Sequence, residues 1–303
     1  MTYLAAGGTE LVQIGMSGLA LGSLYGLIAL GFVIVYKATR VINLAHGGTA
    51  LLGAYLTYWL HVQLGLPYLL CVVVVVLVCA AQSAAVERVL VEPVLSRDIH
   101  ASLMVTMGVL IVYQALVAGI WGTDQLNPED PWRLDKVSVG GVSLTTRDLW
   151  VIGLAAVAVA LFFLFFRFTL VGTAMRATAF HRVAALAQGI DSRRIGMLAW
   201  AIAGGLGGLA GILLGTTVGG GLQPGIANAA LVALAAIIVG GLDSPGGAVV
   251  GGIVIGLAQQ FAATYAPSSF GPDVSTVLPY VVMVVILVFL PTGLRGTAEI
   301  RRI

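Results

Sequence analysis

Residues 167–194 read RFTLVGTAMRATAFHRVAALAQGIDSRR, a cationic, alanine-rich stretch lying between two long hydrophobic runs. Five arginines stand in it: Arg167, Arg176, Arg182, Arg193 and Arg194. Ala177, Phe180, Ala184, Ala187 and Ile190 recur at helical spacing, which predicts a helix with one small, apolar strip flanked by Arg176, His181, Arg182 and Gln188. Such a helix can lie on lipid headgroups, drawn by anionic lipid. It can equally dock into a groove of a soluble subunit, because small side chains allow close approach.

The surroundings fix what kind of chain carries this insert. Of its 303 residues, 59% are hydrophobic and only 9% charged, and the mean hydropathy is +1.03. A soluble domain needs far more surface charge. Forty glycines in that background point to helices packed closely in lipid, where small residues let backbones approach. The net charge of +2 is too small to suggest nucleic acid. No basic segment followed by a short apolar core opens the chain, so no cleaved signal peptide is expected. Cys71 and Cys79 are eight residues apart in one apolar run, more than two helical turns, and no disulfide joins them.

About 20 apolar residues cross a bilayer core. Nine stretches meet that rule: 11–36, 42–62, 66–88, 101–121, 149–167, 195–216, 227–242, 247–265 and 275–291. The expected fold is therefore an all-α polytopic membrane protein of about nine helices, within a range of about eight to ten, forming one transmembrane domain over 1–303. Glycines crowd the second, seventh and eighth stretches, which makes these the weakest spans. Spans one to four and six to nine run in opposite senses, as in an inverted repeat with broken helices. The best internal match is INLAHG at 42–47 against IANAAL at 226–231.

Lys and Arg in short loops set orientation. With the N-terminus outside, Lys37, Arg40, Arg88, Arg97, Arg167, Arg176, Arg182, Arg193, Arg194, Arg295, Arg301 and Arg302 share one side, against Arg133, Lys136 and Arg147 on the other. This puts 167–194 and the C-terminus in the cytoplasm. Residues 122–148 lie outside, and their alternating runs around Gly140 and Gly141 suggest a small hairpin or an irregular connector.

Three places could carry function. Asn43 and His46 open the second span, followed by Gly47 and Gly48; they offer donors and acceptors to a polar, zwitterionic solute, and the glycines permit a broken helix. The plainer reading has Asn43 capping the helix and His46 meeting a carbonyl. Asp243, Ser244 and Pro245 form a tight turn between glycine-faced helices, and Gly247, Gly251 and Gly252 make a small-residue packing edge. The third is the 167–194 segment. No P-loop, zinc-ligand spacing or nucleophile arrangement is present, so the chain is expected to be no enzyme and to need no cofactor. Glu87, Asp148 and Asp243 sit at span ends and Glu10, Asp98, Asp191 and Asp273 in loops, leaving few acids for an ion relay inside the spans.

The run GSLYGLIALGFVIVYKATRVINLAHGGTALLGAY at 22–55, RATAFHRVAALAQGID at 176–191, IVGGLDSPGGAVVGG at 238–252 and LPTGLRG at 290–296 resemble the permeases of branched-chain amino acid ABC importers, specifically the first of the two paralogous permeases. The likeness spans nearly the whole chain. It implies a translocation subunit for branched-chain amino acids or related small polar solutes. The implied setting is the inner (plasma) membrane, with cytoplasmic ATP-binding subunits, a second permease and an extracytoplasmic solute-binding protein. It also implies that Arg176, Phe180, Ala184, Ala185, Gly189 and Asp191, within a 172–194 coupling segment, engage the ATPase, and that Asn43, His46 and Gly47 line the solute path. The competing expectation is a self-contained channel or ion-coupled carrier for a small neutral solute such as urea or an amide.

Overall fold

The computed structural model describes residues 2–95, 99–128, 136–139, 142–217, 221–266 and 274–296. Arg97, Asp98, Arg133, Asp273, Arg301, Arg302 and the Gly140–Gly141 turn lie outside them. Among the described residues the twelve α-helices are α1 (Thr2–Thr39), α2 (His46–Tyr58), α3 (Tyr68–Val86), α4 (Glu92–Leu95), α5 (Ile99–Trp121), α6 (Thr146–Phe168), α7 (Leu170–Phe180), α8 (Arg182–Ala187), α9 (Ser192–Thr217), α10 (Ala229–Gly240), α11 (Pro245–Tyr265) and α12 (Val274–Phe289). Strands β1 (Lys136–Val139) and β2 (Val142–Thr145) pair antiparallel, so the 122–148 segment contains the strand pair of the expected hairpin. Among the described residues, six helical stretches are long and apolar enough to cross a membrane, with Pro224–Gly240 and Val274–Phe289 shorter.

Packing is organised around α1. Its residues from Leu24 to Val35 are almost all buried, and it lies against α11, α9, α10 and α6. Glycines set the distances. A β-carbon on Gly22 would stand 2.7 Å from the Ile253 Cα, and one on Gly252 would stand 2.6 Å from the Gly26 Cα, while one on Gly256 would land on the Gly22 backbone. The opposite edge of α11 places Gly247 and Gly251 on Gly240 and Ala236 of α10. Glycine crowding, read from sequence as weakening the eighth span, is what lets α11 pack as an unbroken helix between two neighbours.

The pairing pattern repeats with the halves exchanged. Helix α1 packs on α11 while α9 packs on α3, and α2 lies on α9 while α10 lies on α1. The α9–α3 contact also runs through small residues, with Gly208 on the Cys79 Cβ, 2.7 Å from its would-be β-carbon. Both cysteines are free and buried. Helices α3, α5, α6 and α12 instead turn Leu77, Ile111, Leu161 and Val288 outward, as lipid-facing helices do.

Candidate functional site

The second span is broken at its start. Helix α1 ends at Thr39, Arg40 takes a left-handed φ of 61°, and 40–45 runs non-helically before α2 begins at His46. Thr106 of α5 supports that segment, accepting from the Leu44 N–H at 3.3 Å and donating to the Leu103 carbonyl at 2.9 Å. This is how irregular backbone survives at depth: a neighbouring hydroxyl satisfies what the missing helix would have bonded.

The seventh span is broken in the same manner. A 3₁₀ turn, Pro224–Asn228, leads into the short α10. Its approach is pinned by Leu222, which exchanges backbone hydrogen bonds with Leu126, beyond the end of α5, at 2.7 and 3.0 Å. The two broken starts meet: a β-carbon on Gly47 would stand 2.5 Å from the Ala227 carbonyl oxygen and 2.8 Å from the Ala230 Cβ. Neither α2, with Ala45 at its N-cap, nor α10, with Asn228, has a side-chain cap, so Asn43 does not cap α2.

Asn43 and His46 are buried at this junction. The imidazole, 1% exposed, is slotted between Gly31 of α1 and Gly207 of α9, edge-on to Phe32 with ring centroids 5.0 Å apart. The backbone of Ile28 is the polar group beside it, without the geometry of a full hydrogen bond. Asn43 Oδ1 is likewise buried with no hydrogen-bond partner.

Two cavities flank the 3₁₀ turn. One of about 700 Å³ lies at the β-hairpin end, lined by Tyr25, Arg147, Asp148, Gln223, Asn228, Gln259, Gln260 and Tyr280 among others, within the range of about 300–1,000 Å³ of small-molecule sites. Its polar groups are held in place: Tyr25 Oη donates to Gln259 Oε1 at 2.8 Å, Ser17 Oγ to Asp148 Oδ2 at 2.9 Å, and Arg147 Nη1 to the Thr216 carbonyl at 2.6 Å. The second, about 190 Å³, is mostly apolar, with Phe32, Leu44, Met107, Leu110, Leu231 and Leu234 beside Gln114 and Asn228. Asn228 lines both. Sequence reading, tuned to carboxylates, passed over these amides; Asn and Gln within apolar spans are the signal that would have found them.

At the other end of the bundle the insert forms two helices and not the single one that the apolar spacing predicts. Helix α7 stops where His181 turns extended, at φ −152°, and its ring accepts from the Ala184 N–H as the cap of α8. Phe180 is 91% exposed and Ala184 is exposed, whereas Ala185 is buried. Gly189 has φ +80° with nothing within 4 Å of a would-be β-carbon. Asp191 starts α9, Oδ1 accepting from the Arg193 and Arg194 N–H groups at 3.0 and 3.3 Å. Arg176 folds back over the Phe166 ring, 5.5 Å from its centroid, donating to Thr173 Oγ1 at 2.9 Å and to the Phe166 carbonyl. Arg193 pairs with Glu92 at 2.8 Å, tying the insert to α4.

Glycine-packed spans, two broken helices meeting inside the bundle, a polar cavity at one end and an exposed helical insert at the other define a multi-pass transport permease. Residues 15–287 match the family described as "Branched-chain amino acid transport system / permease component", and the chain belongs to that family. The high-affinity branched-chain amino acid transport system permease protein LivH of Escherichia coli is 28% identical over 308 residues, covering 95% of this chain and 96% of that one. BraD of Pseudomonas aeruginosa is 28% identical over 303 residues, with coverage of 95% and 96%. The probable LivH of Methanocaldococcus jannaschii is 27% identical over 284 residues, covering 89% and 88%. Of solved structures, PsaBC from Streptococcus pneumoniae in complex with Fab aligns with a TM-score of 0.51 at 13% identity over 95% of both chains, a likeness of fold.

Proposed function

We propose that this chain is the translocation subunit of an ATP-binding-cassette importer for branched-chain amino acids, coupled to cytoplasmic ATPase subunits through 172–194. One observation carries the coupling: at the end of α7 Phe180 is 91% exposed, a bare aromatic that a partner's groove would cover. Arg176 and Asp191 are then the residues that shape the insert, one bound back onto α6 and the other capping α9. Phe180, Ala184 and Gly189 are its contact points, and Ala185 seats it.

The solute path runs from the large polar cavity, past Asn228, to the apolar cavity where the broken starts of α2 and α10 meet. Arg147 and Asp148 offer opposite charges to a zwitterion, and the apolar walls beyond suit an aliphatic side chain. Asn43, His46 and Gly47 hold the junction that shapes this path. The smaller cavity opens beside the exposed Met107 and Leu231, and a second permease covers that face. The β-hairpin end faces outward, toward a solute-binding protein, and the α7–α8 end faces the cytoplasm.

The test is ATP-dependent uptake of labelled leucine into vesicles holding this chain with its ATPase, second permease and binding protein. Uptake should vanish when any component is left out; leucine flux through this chain alone, without ATP, would replace the importer with a channel. Within the assembled system, Asn228→Leu should lower uptake about tenfold or more, the cost of a lost hydrogen bond to a charged group being about 1.5–3 kcal/mol. Thermal stability should hold, since Asn228 is exposed to the cavity. Wild-type uptake by that variant would remove Asn228 from the path.

A further inference from the structure

At the α7–α8 end of the bundle, three distant segments bring four cations to one cavity of about 530 Å³: Lys37 and Arg40 from the end of α1, Arg176 from α7, and Arg295 beyond α12. Among the described residues, Asp243 is the one carboxylate that lines it. We propose that this cavity binds a phosphate-bearing anion, the headgroup of an anionic phospholipid.

Arg40, Arg176 and Arg295 are exposed and Lys37 is half-buried, and the fold fixes where each one stands. Lys37 Nζ donates to the Asp243 carbonyl at 2.8 Å. The chain after α12 is hydrogen-bonded to the end of α10, Leu294 N–H to the Val239 carbonyl at 2.8 Å and Arg295 N–H to Gly240 at 3.0 Å. Its guanidinium passes over Gly246, where a β-carbon would stand 3.7 Å from Nη1. Arg40 lies over the Tyr36 ring at 5.6 Å and has the one left-handed non-glycine backbone among the described residues. A non-glycine there costs about 1–2 kcal/mol, so glycine would be the cheaper residue unless the charge is wanted. Arg176 is bound by its own hydrogen bonds. Among the described residues, these four cations face one acid, a local excess of positive charge.

A free phosphate would meet the same charges, but the surroundings favour a lipid. Phe166 lines the cavity, and Phe168 and Leu170 at the α6–α7 joint are exposed. Acyl chains would lie along that apolar rim while the headgroup sits among the cations, as basic pockets between membrane helices receive anionic headgroups.

The experiment uses the assembled transporter in mild detergent. Its thermal midpoint is followed as phosphatidylglycerol, phosphatidylcholine or inorganic phosphate is added, and co-purifying phospholipid is measured by native mass spectrometry. Phosphatidylglycerol alone should raise the midpoint. Arg40→Gln with Arg295→Gln should weaken its binding roughly thirtyfold, about fivefold for each cation removed, while Arg40→Lys with Arg295→Lys retains it. If the double glutamine variant does not assemble, single Arg40→Gln gives the same reading from an exposed position. Equal stabilisation by inorganic phosphate would overturn the lipid assignment, as would unchanged lipid retention in the glutamine variant. Loss of the ATPase subunit with lipid retained would show that the cations meet an acidic protein surface instead.

Discussion

Gly189→Trp is expected to cut ATP-driven uptake by roughly ten- to hundredfold, with the protein still inserted and folded. Among the described residues nothing lies within 4 Å of a β-carbon at Gly189, so the side chain starts into open space. It meets whatever covers α8. Overfilling a packed contact costs about 1–3 kcal/mol, and every 1.4 kcal/mol is about tenfold in an equilibrium. The φ of +80° adds a second effect, since any L side chain there is strained by about 1–2 kcal/mol. Gly189→Asn separates the two, because asparagine tolerates the left-handed region better than other residues and adds little bulk. The asparagine variant should keep most uptake and the tryptophan variant should lose it, along with co-purification of the ATPase. Full uptake by Gly189→Trp would mean that no partner sits on α8.

Gly256→Val should be among the most damaging single changes within the bundle. Its β-carbon would land on the Gly22 backbone, where no side-chain rotation can relieve the clash, so α1 and α11 must part along the length they share. Because α1 is also the surface on which α9, α10 and α6 pack, the loss spreads. The cost should exceed about 3 kcal/mol, the upper end of ordinary overpacking, and appear as loss of the monodisperse peak in detergent and a fall in the thermal midpoint. Gly153→Val is the control: it is another glycine in a membrane helix, with nothing within 4 Å of its β-carbon, and it should be near neutral. Equal damage from both would mean that helix propensity, not the α1–α11 approach, governs these glycines.

Much of the architecture was legible in the residues. Each of the nine apolar stretches holds a helix, six of the helical stretches being long and apolar enough to cross a membrane, the turn at Asp243–Pro245 separates α10 from α11, and the 226–231 likeness to 42–47 marks the two broken starts that touch. The insert was placed correctly but drawn as one helix. Its apolar spacing continues through His181, and periodicity cannot register a break made by one residue turning extended and capping the next helix with its own ring.

What the sequence by itself determined is the class: a chain this apolar, punctuated by glycine and by one cationic insert, must be a multi-pass membrane protein with a polar handle between spans. It could not say which helix is the hub. In water an apolar stripe marks the buried face, but lipid is as apolar as a protein core, so α1, enclosed on nearly all sides, and α3, largely facing outward, read alike as hydrophobic runs. Only the tertiary structure chose between them, through backbone contacts that glycines allow and larger residues forbid. It alone also gathered Lys37, Arg176 and Arg295 around one cavity and set Asn228 between two others, since such neighbourhoods depend on how distant helices pack and leave no periodic trace along the chain.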